Sequence, residues 1–406
     1  MKRIRVIIST LGPLHLIKSA EYLSRVVDIR VVQAWIPSWW NKWILSIGSR
    51  ISHHDLYKTF KKRVPECLNG KNIGLPLAEF YLVVCRYFHV GNPKYSYIKA
   101  ATIFGMQSKK LFKDADIIHM RSGSGLGGAI ERAHELGMKV VIDHSIAHPA
   151  FMDKQLRSEY AKYGVKFDLG LDTPFWEKVI ENCELGDIVL VNSQFVKNTF
   201  LENGFPCEKV KVVLLGVRDD FHSLKKDYRL KCDKLRILFT GGFGFRKGAE
   251  YILRALCKLD EECFNYEFTV VGDASGAKSI LEKYTPKHIN LVGTIPQDDL
   301  KTYLSESDVY LFPSLCEGCA SSGMEALAAG LPVIATIESG LPIEDGKNGL
   351  LISSKQVEPI IDTLKLIAKN QELREALGKS AALEISKKYT WEQYADNVLN
   401  IYKDII

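Results

Sequence analysis

Short apolar runs alternate with helical patterns along nearly all of the 406 residues, and this alternation constrains the fold more than any other feature. Repeated strand–helix alternation indicates parallel sheets that are covered by helices on both faces. A chain of this length is also too long for one compact core. We therefore predict an α/β protein with two Rossmann-like, doubly wound domains, in which ligands bind beyond the carboxyl ends of the strands.

The predicted strands fall into two series. The first comprises residues 3–9, 29–34, 117–120, 139–143 and 188–192, and the second comprises residues 210–214, 236–240, 268–271, 289–292, 309–312 and 332–335. Helical patterns lie at 128–136, 195–203, 249–257, 297–305 and 357–368. We expect the domain boundary near 216–221, because the charged segment 223–233 that follows is typical of a surface connection.

Two glutamates, Glu317 and Glu325, flank seven residues between a predicted strand and a predicted helix. Ser321 and Ser322 lie where that helix would begin, and unpaired N–H groups at a helix start bind phosphate well. Carboxylates repel phosphate, so their targets beside such a site are more reasonably hydroxyl groups. One glutamate could bind a sugar ring and the other a ribose, which predicts a nucleotide-sugar site.

A glycine loop at residues 241–248 follows one predicted strand and precedes a helix. Its glycines let the backbone approach a ligand closely. Arg246 and Lys247 can neutralise a diphosphate, and an arginine can grip it with two hydrogen bonds. By itself the loop is also explained as a turn with two solvated cations. Its place upstream of the paired glutamates favours phosphate binding.

These segments together resemble the retaining glycosyltransferases of the GT-B fold, family 4 (group 1), whose E-x7-E motif corresponds to Glu317–Glu325. The resemblance also includes residues 191–204, 215–217, 239–248, 271–273, 291–294 and 329–334, in the family's order. It covers most of residues 185–405 and residues 1–184 more loosely. It implies two domains that face a cleft: an acceptor domain at 1–216, completed by a final helix at 390–406, and a nucleotide-sugar domain at 217–389.

The resemblance also implies roles for individual residues. Glu325 would bind the ribose and Glu317 the donor sugar, while Arg246 and Lys247 would stabilise the departing diphosphate. Arg246 is assumed to replace an arginine that the family often has where this chain has Gly242. Further donor-site residues implied by the resemblance are Gly12, Thr294, Ala320, Ser321 and Ser322.

A histidine at the end of the strand 139–143 would lie against the donor sugar in this family. His148 fits a variant of the family pattern, and His144 fits the more common one. We favour His148 as a catalytic residue beside Lys247 and Glu317, and His144 stays as the alternative. His15, in the first loop, could contact the acceptor or cap a helix.

The implied reaction transfers a sugar from a nucleoside-diphosphate sugar to a hydroxyl group of a glycan, a lipid-linked acceptor or a small alcohol. Cell-surface polysaccharide, lipopolysaccharide or glycolipid synthesis is the context that the family suggests. No D-x-D motif marks a metal-bound diphosphate, and the pair Cys316 and Cys319 has no second pair or histidine nearby. We therefore expect no metal and no cofactor other than the donor substrate.

The strongest competing motif is G-x-G-x-x-G at 123–128, which follows a predicted strand and precedes Asp143 by the usual interval. It is a dinucleotide-binding fingerprint and supports an NAD(P)-dependent oxidoreductase as an alternative. A nucleotide-sugar epimerase of the same fold and a non-catalytic sugar-binding relative are further alternatives. The aromatic segment 35–97 resembles an acceptor groove, which disfavours the epimerase.

The net charge of +6 is unevenly distributed. Residues 1–63 hold twelve Lys or Arg and three Asp or Glu, together with Trp35, Trp39, Trp40 and Trp43. Tryptophans beside cations are typical of a protein on an anionic membrane surface, and equally of a cleft wall or core. Without a long apolar run or a secretory signal, we expect a cytoplasmic protein, either free or peripheral at the membrane. No nucleic-acid motif is present.

Overall fold

The computed structural model describes residues 3–12, 14–35, 65–167 and 170–406. Its strands form two parallel sheets, of seven and six strands. The first sheet has the order β3-β2-β1-β4-β5-β6-β7 and the second the order β10-β9-β8-β11-β12-β13. The strands are β1 Arg5–Thr10, β2 Asp28–Gln33, β3 Asn72–Gly74, β4 Ile117–Arg121, β5 Lys139–His144, β6 Ile188–Val191, β7 Val210–Val212, β8 Leu235–Thr240, β9 Tyr266–Val271, β10 Ile289–Gly293, β11 Val309–Phe312, β12 Val333–Ala335 and β13 Leu350–Leu351.

Helices cover the sheets and connect most of the strands. They are α1 Leu14–Leu23, α2 Pro76–Tyr87, α3 Pro93–Ser108, α4 Ala129–Glu135, α5 Pro149–Ala161, α6 Pro174–Leu185, α7 Gln194–Leu201, α8 Ala249–Glu261, α9 Lys278–Leu281, α10 Leu300–Glu306, α11 Ser321–Ala329, α12 Glu358–Lys369, α13 Gln371–Lys388 and α14 Trp391–Ile405. Short 3-10 turns lie at Glu66–Leu68, Lys109–Leu111, Asp219–Phe221, Phe245–Lys247, Ser275–Ala277 and Ile337–Ser339.

The central strands are buried on both faces, as parallel sheets require. Val6 of β1 pairs with Ile29 of β2 and with Ile117 of β4, which puts β1 in the interior of the first sheet. All four residues of β6 and all four of β11 are buried. This burial explains why these strands are continuous apolar runs in the sequence.

The last helix, α14, returns to the first sheet. It packs against α1, where the rings of Tyr22 and Trp391 are 5.9 Å apart. Near its other end the Tyr402 hydroxyl lies 2.7 Å from Nδ1 of His119 in β4. A parallel bridge between Val217 and Thr390 brings the chain leaving the first sheet beside the start of this helix. The helix therefore belongs to the layer around the first sheet.

The two sheets use separate parts of the chain, because β7 ends at Val212 and β8 begins at Leu235. The division at residue 216 stays a prediction. One strand was assigned to the wrong series: residues 210–214 were expected in the second, but β7 pairs with β6 in the first sheet. The strands Asn72–Gly74 and Leu350–Leu351 were missed, since two or three residues are too few to show a periodic pattern.

Candidate active site between the two sheets

The loop after β11 brings the two sheets together at their carboxyl ends. A Cβ atom placed on Gly318 would lie only 2.0 Å from the carbonyl oxygen of Ser145, just beyond β5. The Ser193 hydroxyl, just beyond β6, donates to the Gly318 carbonyl oxygen at 2.5 Å. Ligands bind at this edge of doubly wound sheets. Glu317 thus lies on a segment in close contact with the other half of the molecule.

Arg246, Lys247 and Glu317 form one charged cluster. Nη1 of Arg246 forms an ion pair with Oε1 of Glu317 and donates to the Cys316 carbonyl oxygen at 2.9 Å. Nζ of Lys247 lies 3.8 Å from the same Glu317 oxygen and 4.9 Å from the centre of the Phe312 ring. Two cations against one carboxylate leave a net charge of +1. The structure thus joins the predicted phosphate loop to the first glutamate of the motif.

Burial and pairing act in opposite directions on these cations. Burial lowers the pKa of Lys247, and the attraction of Glu317 offsets only part of that shift. Burial also lowers the pKa of Arg246, but the contact with Glu317 outweighs it and the pKa is raised. An Arg guanidinium stays protonated in either case. A partly buried positive charge attracts a phosphate more strongly than a solvated one does, because the surrounding dielectric constant is lower.

The helix α11 begins at Ser321, where the sequence placed a helix start, with Ala320 as its N-cap. The N–H of Ala320 donates to the Ser339 carbonyl oxygen at 3.1 Å, so it is already engaged. The Ser322 hydroxyl is held 2.9 Å from the Tyr310 hydroxyl. The first-turn N–H groups of a helix have no intrahelical partner. The anion-binding groups at this end are therefore those from Ser321 onward.

Glu325 lies one turn further along α11. Its Oε1 accepts a hydrogen bond from Nε2 of Gln297 at 3.1 Å. Burial raises the pKa of this carboxyl group to about 7, although Gln297 acts against the shift. Glu325 lines a cavity of about 200 Å³ between the two halves of the molecule, together with His15, Lys18, Leu215, Gly216, Val217, Arg218, Cys319, Ser321, Met324 and Trp391.

The raised pKa of Glu325 predicts a pH-dependent stability. The folded protein binds this proton more tightly than the unfolded chain, whose carboxyl has a pKa near 4.5. The free energy of unfolding therefore falls as the pH rises from about 4.5 to about 7. The variant Glu325→Gln has no carboxyl group at this position, so it should not lose stability in this way. The Tm of the variant relative to that of the wild type should therefore rise between pH 5 and pH 8. Thermal unfolding at matched ionic strength would measure this, and a Tm difference that does not change with pH would contradict the prediction.

A second cavity, of about 270 Å³, opens beside the first turn of α11. It is lined by Thr240, Gly241, Val271, Gly272, Thr294, Ile295, Pro296, Gln297, Leu300 and Ser322. The exposed Thr294, one of the predicted donor-site residues, belongs to this wall. The backbones of two loops meet here, because a Cβ on Gly272 would lie 2.2 Å from the Gly241 carbonyl oxygen. Gly241 and Gly272 thus allow two strand ends to converge at the cavity.

The favoured histidine, His148, caps a helix. It is the N-cap of α5, where its Nδ1 accepts from the Ala150 N–H at 3.2 Å. Its ring packs edge-on against Phe200 and Phe205, with centroids 5.0 and 5.8 Å away. Burial lowers its pKa to about 4. These contacts account for the histidine structurally, without a substrate.

The alternative, His144, is the last residue of β5 and is also buried. Its Nδ1 lies 3.0 Å from the Ser122 hydroxyl, and its ring contacts Phe200. Burial and the nearby Arg121 lower its pKa to about 3. Neither predicted histidine lines the cavity that contains Glu325.

A charged group around Asp143 was missed by sequence reasoning. Asp143 lies 2.9 Å from Nε2 of His15 and 2.9 Å from Nη1 of Arg121. Burial alone would raise the pKa of Asp143, but His15, His119 and Arg121 hold it well below the usual range. His15 also lines the cavity with Glu325. Among the described histidines, it is the one that lines this cavity.

Gly12 follows β1 at the carboxyl edge of the first sheet, shortly before α1, which contains His15. A Cβ atom on Gly12 would meet no other atom within 4 Å. The Thr10 hydroxyl donates to the Gly12 carbonyl oxygen, and the preceding Leu11 N–H donates to the Ser124 hydroxyl at 3.0 Å. The open space leaves room for a ligand, and the bonds on either side hold the loop in place.

The G-x-G-x-x-G segment has a packing role. The N–H groups of Gly123 and Gly125 both donate to Oδ1 of the buried Asn182, at 3.0 and 3.1 Å. A Cβ on Gly105 of α3 would lie 1.7 Å from the Leu126 carbonyl oxygen, so helix and loop are in direct contact. The segment follows β4, whereas a dinucleotide fingerprint follows the first strand of its domain. These contacts give the oxidoreductase alternative no support.

Replacing Asn182 tests this packing role. The variant Asn182→Ala leaves two buried N–H groups without an acceptor, at a cost of about 1–3 kcal/mol each. We expect the free energy of unfolding to fall by about 2–4 kcal/mol in urea titrations. Asn198→Ala, at an exposed position on α7, is the control and should change little. A loss no larger than in the control would contradict the role.

Contacts from α5 hold the glycine loop 241–248 from the other side of the cleft. The ring of Phe245 lies 4.6 Å from that of Tyr160 and 5.1 Å from that of Tyr163. The residue before Tyr160, the buried Glu159, accepts a hydrogen bond from the hydroxyl of Tyr251, which lies in α8 just after the loop, at 2.8 Å. Residues of the first half thus fix the position of the loop that contains both cations. Within the described residues, no cluster of three or more His, Cys, Asp or Glu has a metal-binding arrangement.

Comparisons with known proteins bear on the family and the fold. Residues 220–384 match the family model described as glycosyl transferases group 1. An uncharacterized glycosyltransferase of Methanocaldococcus jannaschii is 28% identical over 54% of this chain and 60% of its own length. Sulfoquinovosyl transferase SQD2 of Arabidopsis thaliana is 25% identical over 70% of this chain and 56% of its own length. The chain therefore spans about three fifths of the length of these relatives.

Among solved structures, HepE of Anabaena, crystallised in complex with UDP, superposes with a TM-score of 0.64. The superposition covers all of both chains at 12% identity, so it bears on the fold alone. It confirms two doubly wound domains that face a cleft, the GT-B fold. The residues matched by the family model include Glu317, Glu325 and both cations. Residues 220–384 of this chain are therefore similar to the group 1 glycosyl transferases.

Proposed function

We propose that the protein is a retaining, family 4 glycosyltransferase that moves a sugar from a nucleoside-diphosphate sugar to a hydroxyl acceptor. The observation that carries this proposal is the cluster of Arg246, Lys247 and Glu317 beside the first turn of α11. It combines two cations, a helix start and a carboxylate at the carboxyl ends of β8 and β11. The cations and the helix start suit a diphosphate, and the carboxylate suits the hydroxyl groups of a sugar.

The diphosphate would lie between Lys247, Arg246 and the first N–H groups of α11. Negative charge develops on its oxygen as the bond to the sugar breaks, and fixed positive groups stabilise that charge. These groups do electrostatic work that a metal does in other enzymes, so we propose a metal-independent reaction. Glu317 would exchange part of its contact with the cations for hydroxyl groups of the sugar.

The nucleoside would occupy the two cavities beside α11. Glu325, oriented by Gln297, would accept hydrogen bonds from the ribose hydroxyls. The base would enter the cavity lined by Thr294 and Ile295, where one wall is apolar and the backbone offers hydrogen bonds. UDP is the nucleotide in the HepE crystal, and a uridine nucleotide is therefore the first donor to test.

The acceptor would approach from the first sheet. His15 lines the cleft and is held by Asp143, so it is placed to orient an acceptor hydroxyl. In the proposed reaction the bond from the anomeric carbon to the diphosphate breaks. The acceptor oxygen bonds to that carbon on the same face, and its proton passes to a phosphate oxygen. His148 receives no step, because its cap and aromatic contacts already engage it.

The acceptor class follows from relatives only as a proposal. The sulfoquinovosyl transferase and a glycosyltransferase for amylovoran biosynthesis, from Erwinia amylovora, are both similar to this chain. We propose an acceptor in polysaccharide or glycolipid synthesis.

A product assay tests the proposed activity. The protein is incubated with UDP-, GDP- or ADP-sugars and a set of glycan, glycolipid and alcohol acceptors, and the product anomer is identified by NMR. We expect release of one nucleoside diphosphate and a product with the anomeric configuration of the donor. Inversion would overturn the retaining assignment. Conversion of the donor to another nucleotide sugar without an acceptor would instead establish an epimerase.

A further inference from the structure

Exposed apolar side chains concentrate on one region of the first half of the molecule. Of nineteen exposed large apolar side chains in the described residues, ten lie between Ile73 and Met106. Phe80, Tyr87 and Phe88 are 65%, 78% and 64% exposed. Single exposed apolar residues need no explanation, but such a concentration marks an interaction site.

Five of these ten side chains lie on one face of α2 or at its C-cap. Leu77, Phe80, Val83, Tyr87 and Phe88 recur at intervals of one to four residues, and all are exposed. The opposite face is used within the fold, where Ala78 is buried and Tyr81 and Leu82 pack against the core. We call the five exposed side chains the α2 face.

The composition of α2 is typical of a helix that is buried on all sides. Only Glu79 and Arg86 are charged among its twelve residues. A helix that is apolar all round is normally buried, in a core or in a membrane. No helix in the described part of the chain has the length and apolar character to cross a bilayer. The exposed face of α2 therefore offers an apolar surface to a partner.

The charges around the α2 face identify this partner as anionic. From Pro76 to Ser108 the sequence holds three cations, Arg86, Lys94 and Lys99, against one anion, Glu79. The Lys99 amine lies 5.3 Å from the centre of the Tyr81 ring on α2, which places a cation between α2 and α3. Tyr95 and Tyr97 are exposed on α3, and tyrosines are enriched where a protein meets the headgroup region.

We propose that the α2 face inserts shallowly into an anionic phospholipid surface, with Arg86 and Lys99 binding lipid phosphates. A helix that lies in the interface plane buries its apolar face at the headgroup boundary and pairs its cations with anionic lipid. A second copy of the chain fits less well, because a two-fold contact places the same cations on both sides of the interface. This surface belongs to the half of the molecule that would bind the acceptor.

The inference differs from the membrane contact predicted for residues 1–63. Trp39, Trp40 and Trp43 lie outside the described residues, as do residues 36–64 of the predicted acceptor groove. The described residue Trp35 is half-buried. The α2 face comes after this segment and rests on observed exposure, so the two surfaces can be separated by mutation.

Vesicle sedimentation of the full chain tests the proposal. Wild-type protein should bind phosphatidylglycerol vesicles more tightly than phosphatidylcholine vesicles, and the binding should weaken with salt. The variant Leu77→Ser/Phe80→Ser/Phe88→Ser should lose about tenfold or more in affinity. The pair Arg86→Glu/Lys99→Glu should weaken binding to phosphatidylglycerol and leave the weak binding to phosphatidylcholine nearly unchanged.

The matched control is Leu366→Ser/Leu383→Ser/Ile406→Ser, which removes three exposed apolar side chains from the C-terminal helices. It should bind vesicles like the wild type. Wild-type affinity in the α2 triple variant would overturn the proposal, and so would no binding by the wild type. Concentration-dependent dimers that the α2 variant abolishes would assign the face to a second copy instead. Nucleotide binding is measured separately, so the test does not depend on the proposed donor.

Discussion

Replacing Lys247 with alanine should lower kcat by about 10²–10³-fold. Its amine lies 3.8 Å from Glu317, and 4.9 and 6.0 Å from the ring centres of Phe312 and Phe239. In the proposed reaction it stabilises charge that appears only as the diphosphate departs. Such an interaction lowers kcat and kcat/KM together when it is removed. Initial rates over a range of donor concentrations would measure both.

Two further variants define what Lys247 contributes. Lys247→Arg keeps the charge but places a wider, planar group beside the Phe312 ring, and we expect partial activity. Lys369→Ala removes an exposed lysine at the end of α12 and should have wild-type kinetics. Near-normal turnover in Lys247→Ala, with the same fold by circular dichroism, would contradict the assigned role. A rise in KM alone would mean that the lysine binds the ground state and transition state equally.

Gly318→Ala should have a comparable effect on catalysis for a different reason. The added Cβ would lie 2.0 Å from the Ser145 carbonyl oxygen and 2.8 Å from Nδ2 of Asn192. Neither group belongs to the same sheet as the loop, so the loop or the whole second half must shift. A displacement of about 1 Å in a catalytic arrangement can cost about 10²-fold in rate. Glu317, the preceding residue, would move with the loop.

Nucleotide affinity separates this effect from loss of the donor site. Lys247, Glu325 and the base cavity lie within the second half, so Gly318→Ala should keep nucleotide affinity within a few-fold of the wild type. Ser193→Ala removes the hydrogen bond to the Gly318 carbonyl oxygen but adds no atoms. Its loss of rate should be smaller. Full activity in Gly318→Ala would show that the contact between Gly318 and Ser145 is dispensable.

The strands and the donor half of the site were predictable because their signals are local. Apolar runs such as 309–312 are strands because parallel sheets are buried on both faces, and each glycine turn follows its strand directly. The placement of Glu317 and Glu325 on either side of a helix start was also predictable, because both residues lie in one short segment. The contact between Lys247 and Glu317 was not visible in the sequence. It depends on the strand order, which places β8 beside β11.

The rest depends on contacts between distant residues, which one sequence does not show. His15 meets Asp143 across 128 positions, and that pairing brings His15 rather than His148 to the cleft. The sequence alone did not distinguish the roles of His148 and His144. In the structure both rings pack against Phe200 and are buried. The engaged N–H of Ala320 and the uncovered face of α2 likewise follow from tertiary packing. Neither a hydrophobic pattern nor the intrinsic helix or strand propensity of a residue reports such contacts.

The central claim is that the second half binds a nucleoside diphosphate through Lys247, Arg246, Glu325 and the start of α11. The most direct test is thermal unfolding without added metal in the presence of UDP, GDP, ADP, NAD or NADP. A ligand that binds the folded state raises Tm in a dose-dependent way. We predict a shift with one nucleoside diphosphate that is reduced in Lys247→Ala and Glu325→Ala. A shift with NAD or NADP alone, unchanged in both variants, would contradict the account.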